Sequence, residues 1–251
     1  MKKKILITGA TSGFGKAMAE RFAKEGWNLI ITGRRKDRLD ELAVKLIDQF
    51  KVDVQIKCFD VQSRKEVFAA LENDSHLNDL DVLVNNAGLA LGRDYFDDAN
   101  LDDWETMIDT NLKGLLYVSK AVVPFFVKNG KGHIINIGST AGKEVYEKGN
   151  VYCATKTSVE AISQAMRIDM LRHKIKVTAI HPGAAETEFS MVRFKGDETT
   201  AKSVYEGYQA LKAEDIADTA YYCANLPEHV CINSLVMTCT SQANSFYLLR
   251  K

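Results

Sequence analysis

Seven short apolar runs, at residues 4–7, 29–32, 54–59, 82–84, 134–137, 177–180 and 235–237, recur along the chain with helical stretches between them. That alternation constrains the fold more than any other feature of the sequence. A short, nearly continuous apolar run suits a strand buried on both faces, and helices between successive strands supply the cover. Such connections form right-handed βαβ units and therefore a parallel sheet. The helical stretches fall at 16–24, 36–50, 101–128 and 151–172, with a further helix capped by Ser63. Gly26 marks the end of the first, and Pro124 is expected to bend or trim the end of the one at 101–128. No repeat, low-complexity segment or linker interrupts the chain, and its three prolines do not cluster. A length of 251 residues can be served by one core. The expected architecture is α/β, a single domain over residues 1–251 with a doubly wound parallel sheet of about seven strands and helices on both faces.

Composition removes several classes of function. With 46% hydrophobic residues the chain can offset its ordering entropy, which excludes wholesale disorder. Its 33 Lys and Arg balance 33 Asp and Glu, so no broad basic surface for nucleic acid is expected. The opening Met1-Lys2-Lys3-Lys4-Ile5-Leu6-Ile7 resembles a secretory n-region, but the apolar run ends at Thr8-Gly9, too short for a signal peptide. No stretch reaches the ~20 apolar residues of a membrane span. Five cysteines without Cys-x-x-Cys spacing and five scattered histidines support neither a disulfide framework nor a metal site. A cytoplasmic enzyme is the expectation.

The first strand leads into Thr8-Gly9-Ala10-Thr11-Ser12-Gly13-Phe14-Gly15. Glycines between a strand and a helix allow a tight turn and let phosphate oxygens approach the main chain, where the helix N-terminus presents free N–H groups. Their spacing differs from the general G-x-G-x-x-G fingerprint. Here the sequence resembles the short-chain dehydrogenase/reductase family. The turn matches that family's cofactor signature, and Asn85-Asn86-Ala87-Gly88 matches its second block. Ser139 with Tyr152-Cys153-Ala154-Thr155-Lys156 matches its catalytic set, and Pro182-Gly183 with Thr187 matches the turn after its sixth strand. The blocks follow one another in the family's order over nearly the whole chain. The resemblance implies a Rossmann fold that holds a nicotinamide dinucleotide. The contacts it implies are Gly9, Thr11, Ser12, Gly13, Phe14, Gly15, Asn86, Ala87, Gly88, Pro182, Gly183 and Thr187, together with Tyr152 and Lys156.

The end of the second strand bears on which dinucleotide binds. A carboxylate there would bond the ribose hydroxyls of NAD and repel a 2′-phosphate. This chain has Gly33 at that place, followed by Arg34 and Arg35, whose guanidinium forks suit phosphate. NADP is the expected cofactor. Asp60-Val61 resembles the family's adenine-contacting pair, and a plain helix-entry role for Asp60 stands beside that reading.

Tyr152 and Lys156 are four residues apart and share a helix face. A phenol ordinarily titrates near 10, and an ammonium close by is expected to lower it toward use as an acid or base. Tyr152 would then exchange the proton of a substrate hydroxyl, while Ser139 polarises the reacting oxygen. By resemblance, Lys156 also bonds the nicotinamide ribose, and Asn111 holds a water that relays protons from Lys156.

Residues 184–212 are too long for a plain connector and are expected to form an insertion over the substrate. This segment, with Asn86-Ala87-Gly88-Leu89-Ala90-Leu91-Gly92 and Gly149-Asn150-Val151-Tyr152, resembles the subgroup oxidising small 3-hydroxy acids such as serine, allo-threonine and 3-hydroxypropionate with NADP. Arg193 is the candidate clamp for the substrate carboxylate. Residues 143–148 are more charged than that subgroup shows, and Lys143 or Glu144 facing inward would change which acid is accepted. The alternatives are a reductase of 3-oxoacyl thioesters or bulkier ketones, and a redox-silent NADP-binding regulator. By resemblance the enzyme is a homotetramer, and its apolar tail at 245–251 is expected either to dock on a neighbouring subunit or to fray.

Overall fold

Every apolar run is a strand of one sheet in the structure, a computed structural model that describes residues 2–251. The strands are β1 (Lys4–Ile7), β2 (Asn28–Gly33), β3 (Val54–Cys58), β4 (Val82–Asn85), β5 (Gly132–Ile137), β6 (Ile175–Pro182) and β7 (Ser234–Met237). Their spatial order is β3-β2-β1-β4-β5-β6-β7, and every neighbouring pair is parallel. The order reverses between β1 and β4, which leaves a crevice at the carboxyl ends of those strands.

Burial of both sheet faces explains why the runs carry little polar alternation. On β1, Ile5 and Ile7 join a core that includes Leu29 and Ile31 of β2 and Met18 and Phe22 of helix α1 (Gly13–Lys24). Leu6 points the other way, into a core with Ile30, Leu83, Val122 and Phe126. Each such aliphatic side chain contributes about 1.5–3 kcal/mol on burial, so neither face can be polar. Helices α2 (Lys36–Phe50) and α9 (Ala213–Ala224) share the first face with α1. Helix α3 (Arg64–Leu71) is capped by the Ser63 hydroxyl, which accepts from the Glu66 N–H.

The helix expected at 101–128 is instead three pieces: α4 (Leu101–Ile108), a π-helical turn (Asp109–Gly114) and α5 (Leu115–Asn129). The wider turn shifts the helix face by a fraction of a turn and leaves the apolar pattern continuous, so periodicity does not reveal it. Pro124 neither ends nor trims α5, which runs on to Asn129 and stops at Gly130 with φ 64°. Pro124 and Lys120 are both on the solvent side, so the carbonyl that loses its helical partner faces water.

Helix α6 (Asn150–Met170) follows β5. Residues 184–212 hold two short helices, α7 (Phe189–Arg193) and α8 (Glu198–Ser203), and their base is tied where Glu186 and Leu211 donate N–H bonds to Leu211 and Ala184 carbonyls. The C-terminal tail docks on its own chain. Arg250 donates to the carbonyls of Ser203, Val204 and Glu206 at and after the end of α8, and the Lys251 N–H donates to the Gly207 carbonyl. Phe246, Tyr247 and Leu249 stay exposed.

Candidate active site

The glycine turn is built so that only glycine fits. Gly9 and Gly13 have φ of 66° and 49°, and a Cβ on Gly15 would lie 2.2 Å from the Gly9 carbonyl oxygen. Thr8 and Asn86 lock this turn to the end of β4. The Thr8 hydroxyl accepts from the Asn86 and Ala87 N–H groups at 3.0 Å, and the Asn86 amide donates to the Thr8 and Gly9 carbonyls.

The turn opens into a cleft of about 550 Å³ at the carboxyl ends of the strands. Every expected cofactor, catalytic and substrate residue lines it except Gly15, which lies beneath the turn, and Asn111, which is buried behind it. At one end, Arg35 donates to the Thr11 and Ser12 hydroxyls at 2.8 and 3.0 Å, and Arg34 pairs with Asp60 at 3.3 Å. A Cβ at Gly33 would lie 2.9 Å from the Thr11 methyl, so a side chain there would have to displace Thr11, the partner of Arg35. Asp60 serves both of its readings: it borders the cleft and also accepts from the Gln62 N–H on the way into α3. Glu188, at the start of α7, reaches over to Arg38 at 3.0 Å and Arg35 at 3.4 Å.

At the other end, α6 carries Tyr152 and Lys156, both buried. The Lys156 ammonium donates to the Ile137 carbonyl at 3.0 Å and lies 6.0 Å from the centre of the Tyr152 ring. Burial lowers its pKa to about 8. The phenol departs from expectation. Burial pushes Tyr152 above its ordinary value, with Tyr146 adding to the rise, while the Ser139 hydroxyl and the Arg193 charge act downward. Desolvation of a nearly enclosed ring outweighs the bond from Ser139 and the charge of Arg193. Ser139 accepts the Ala141 N–H at 3.1 Å and so also caps a short 3₁₀ turn.

Asn111 sits in the π-helical turn with both amide hydrogens committed. Its side chain exchanges two bonds with the Leu89 backbone, each 2.8 Å, and donates to the Thr155 hydroxyl at 3.1 Å. It shares the space behind Gly88 with Lys156, since a Cβ there would lie 3.2 Å from Asn111 and 3.4 Å from the ammonium.

Arg193 projects from α7 toward the same end. Its guanidinium lies 5.6 Å from the Tyr152 ring centre and donates to the Tyr146 hydroxyl at 3.1 Å and the Gly92 carbonyl at 3.3 Å. Both partners are neutral. The charged segment expected beside the substrate turns its charges away: Lys143 pairs with Glu160, Glu144 accepts from the Ser245 N–H, and Glu147 accepts from the Tyr95 hydroxyl. Tyr146 is the member that faces the cleft. Tyr146 belongs to the segment expected to border the substrate, but sequence reasoning named its charged neighbours instead; it missed Glu188 and Phe189, whose ring lies 5.7 Å from that of Tyr152. Their only signal was proximity in sequence to residues already singled out.

The short chain dehydrogenase family profile matches residues 3–198, and the chain belongs to that family of oxidoreductases. Among its relatives is the NADP-dependent 3-hydroxy acid dehydrogenase YdfG of Salmonella typhi, 47% identical over 243 residues, 95% of this chain and 96% of the relative. Sulfoacetaldehyde reductase 2 of Chromohalobacter salexigens is 44% identical over 97% of this chain and 96% of its own length. A solved closed form of serine dehydrogenase complexed with NADP+ superposes with a TM-score of 0.91 at 43% identity, covering 99% of each chain.

Proposed function

We propose that the chain is an NADP-dependent oxidoreductase that interconverts small 3-hydroxy acids, of the serine, allo-threonine and 3-hydroxypropionate type, with 3-oxo acids. The observation that carries this reading is Arg193, a cation with neutral partners held beside Tyr152. A guanidinium in a partly desolvated cleft favours an anionic substrate through charge-assisted bonds of about 1.5–3 kcal/mol.

The residues present fit NADP. The glycine cradle leaves its main chain open to a pyrophosphate, and Arg34, Arg35 and the hydroxyls of Thr11 and Ser12 form a donor set for the 2′-phosphate. When bound, NADP supplies the nicotinamide that accepts or returns hydride. The protein's part is to orient and to move the proton. Ser139 and Tyr152 direct their hydroxyls at the reacting oxygen, Tyr152 takes or gives its proton, and Lys156 stabilises the phenolate so formed. Arg193 holds the far end of the substrate, which keeps the carbinol carbon over the acid–base pair.

A sulfonate has the same charge as a carboxylate, and the sulfoacetaldehyde reductase relative makes small sulfonated aldehydes the second substrate class to consider. Thioesters and bulky ketones gain nothing from Arg193, and a redox-silent regulator has no use for the acid–base pair. The reading extends to a cytoplasmic homotetramer, supported by family resemblance and by the exposed apolar side chains of Ile168 and Leu171 near the end of α6. The test is a steady-state panel of 3-hydroxy acids, hydroxysulfonates, thioesters and bulky alcohols with NADP and NAD, followed by the absorbance of reduced nicotinamide. The expected outcome is turnover of 3-hydroxy acids with NADP, lost in Tyr152→Phe while NADP binding persists. Preference for bulky alcohols, or turnover by the Phe variant, overturns the assignment.

A further inference from the structure

One polar cluster outside the cleft lies directly behind Ser139. His181, on β6 and fully buried, presses its ring against Gly138, where a Cβ would come within 2.3 Å of Nδ1. Its Nδ1 lies 3.4 Å from the Ser139 amide nitrogen and 3.2 Å from the Ser139 carbonyl oxygen. Its Nε2 lies 2.6 Å from Oε2 of Glu160 on α6. Lys143 and the Ser234 hydroxyl meet the same carboxylate oxygen at 3.2 and 3.4 Å, and Gln164 donates to the other oxygen at 2.7 Å.

Enclosing an imidazole and a carboxylate costs desolvation, and well-packed apolar side chains often stabilise such a place as well or better. Val177, Ala179 and Ile180 on the same strand are apolar and buried. The polar pair therefore asks for a reason other than stability, and its contacts point to one residue.

We propose that His181, held by Glu160, is a positioning residue for Ser139: its ring fixes the Ser139 peptide and so aims the serine hydroxyl at the reacting oxygen. The proposal rests on the reading of Ser139 as catalytic. The hydrogen-bond chemistry defines the state required. Glu160 is an ionised acceptor, because the bonds from Gln164, Lys143 and His181 offset its burial and hold its carboxyl at about 2. His181 therefore donates from Nε2, and a neutral ring leaves Nδ1 bare. Bare Nδ1 accepts the Ser139 N–H. A proton on Nδ1 would select the Ser139 carbonyl instead and favour a different peptide orientation. Glu160 from α6, Lys143 from the turn after β5 and Tyr152's neighbour Ser139 are the groups that meet this ring and its carboxylate, with Ser234 approaching from β7.

The test compares two isosteres in the full-length enzyme. Asparagine places an acceptor where Nδ1 stands and loses the reach to Glu160, whereas glutamine keeps the reach and loses the Nδ1 acceptor. His181→Asn is expected to lose less than about tenfold in kcat, because it keeps the acceptor for the Ser139 N–H and gives up only the hold of Glu160. His181→Gln is expected to lose about 10- to 100-fold in kcat, the cost of misplacing a reacting group by a fraction of an ångström to an ångström, with KM and NADP binding unchanged. Nitrogen-15 chemical shifts of the wild-type His181 ring are expected to report the Nε2–H tautomer. Equal losses in the two variants, losses that track the melting temperature alone, or an Nδ1–H tautomer overturn the proposal. Ser139→Ala separates the two readings: an inactive Ala variant beside a fully active Gln variant defeats only the positioning role, while an active Ala variant defeats both.

Discussion

At the residue scale, the Glu160–His181 pair couples stability to pH. Glu160 has an ordinary pKa of 4.5 and is held at about 2 in the fold. A folded value below the unfolded one means stability that is fully present above about 4.5 and is lost as pH falls toward 2. His181 works in the same direction, since burial lowers it from 6.5 and acid forces a proton onto an enclosed ring. Glu160→Gln is therefore expected to cost stability at neutral pH and to flatten the loss between pH 4.5 and 2, measured by denaturant titration across that window. An unchanged acid slope would show that the carboxylate is not coupled to folding. The Tyr152–Lys156 pair was legible in sequence because four-residue spacing on a helix guarantees a shared face. The direction of the Tyr152 shift was not legible, because it depends on how completely the ring is enclosed.

At the scale of elements, α7 links both ends of the cleft. Glu188 at its start pairs with Arg35 and Arg38, and Arg193 at its end reaches Tyr146. Glu188 and the proposed 2′-phosphate site share Arg35. Exposed pairs of this kind are worth about 0.2–1 kcal/mol, so Glu188→Gln is expected to tighten NADP binding by up to about fivefold. NAD lacks the 2′-phosphate and should bind as before. Fluorescence titration with both dinucleotides checks this, and equal changes would rule out competition at Arg35. The arginines were visible in sequence beside Gly33, where no acid stood. Glu188 was not, since 150 residues separate it from Arg38 and only the path of the segment after β6 brings them together. The π-helical turn that seats Asn111 was hidden for another reason: it is one turn long and moves the helix phase by only a fraction of a turn, too small a step for apolar spacing to mark.

For the whole molecule, the distribution of apolar surface bears on assembly. Ile168 and Leu171 are each 74% exposed and three residues apart at the end of α6. Side chains of that size cost least when covered, and paired subunits of a homotetramer would cover them. Light scattering is expected to give a mass four times that of the chain, and Ile168→Glu with Leu171→Glu to dissociate it. A wild-type monomer would leave these residues as ordinary surface. Phe246, Tyr247 and Leu249 of the tail are likewise exposed and free to meet a neighbouring subunit. The tail's last residues grip the carbonyls at and after the end of α8 of their own subunit, which ties the end of the chain to the segment over the cleft.

The sequence by itself determined the seven strands, the parallel sheet, the glycine cradle, the basic end of the cleft and the Ser139, Tyr152 and Lys156 set. The strands and sheet follow from local apolar spacing, the cradle and the basic end from side-chain chemistry within a few residues, and the Ser139, Tyr152 and Lys156 set from motif blocks that resemble the family's in the same order along the chain. The tertiary structure alone decided that Lys143, Glu144 and Glu147 turn outward while Tyr146 turns in. It alone showed that the lone His181 stands behind Ser139, and that burial outweighs charge at Tyr152. Those outcomes depend on which residues distant in the chain become neighbours and on how much water they exclude, and neither quantity is written in local sequence.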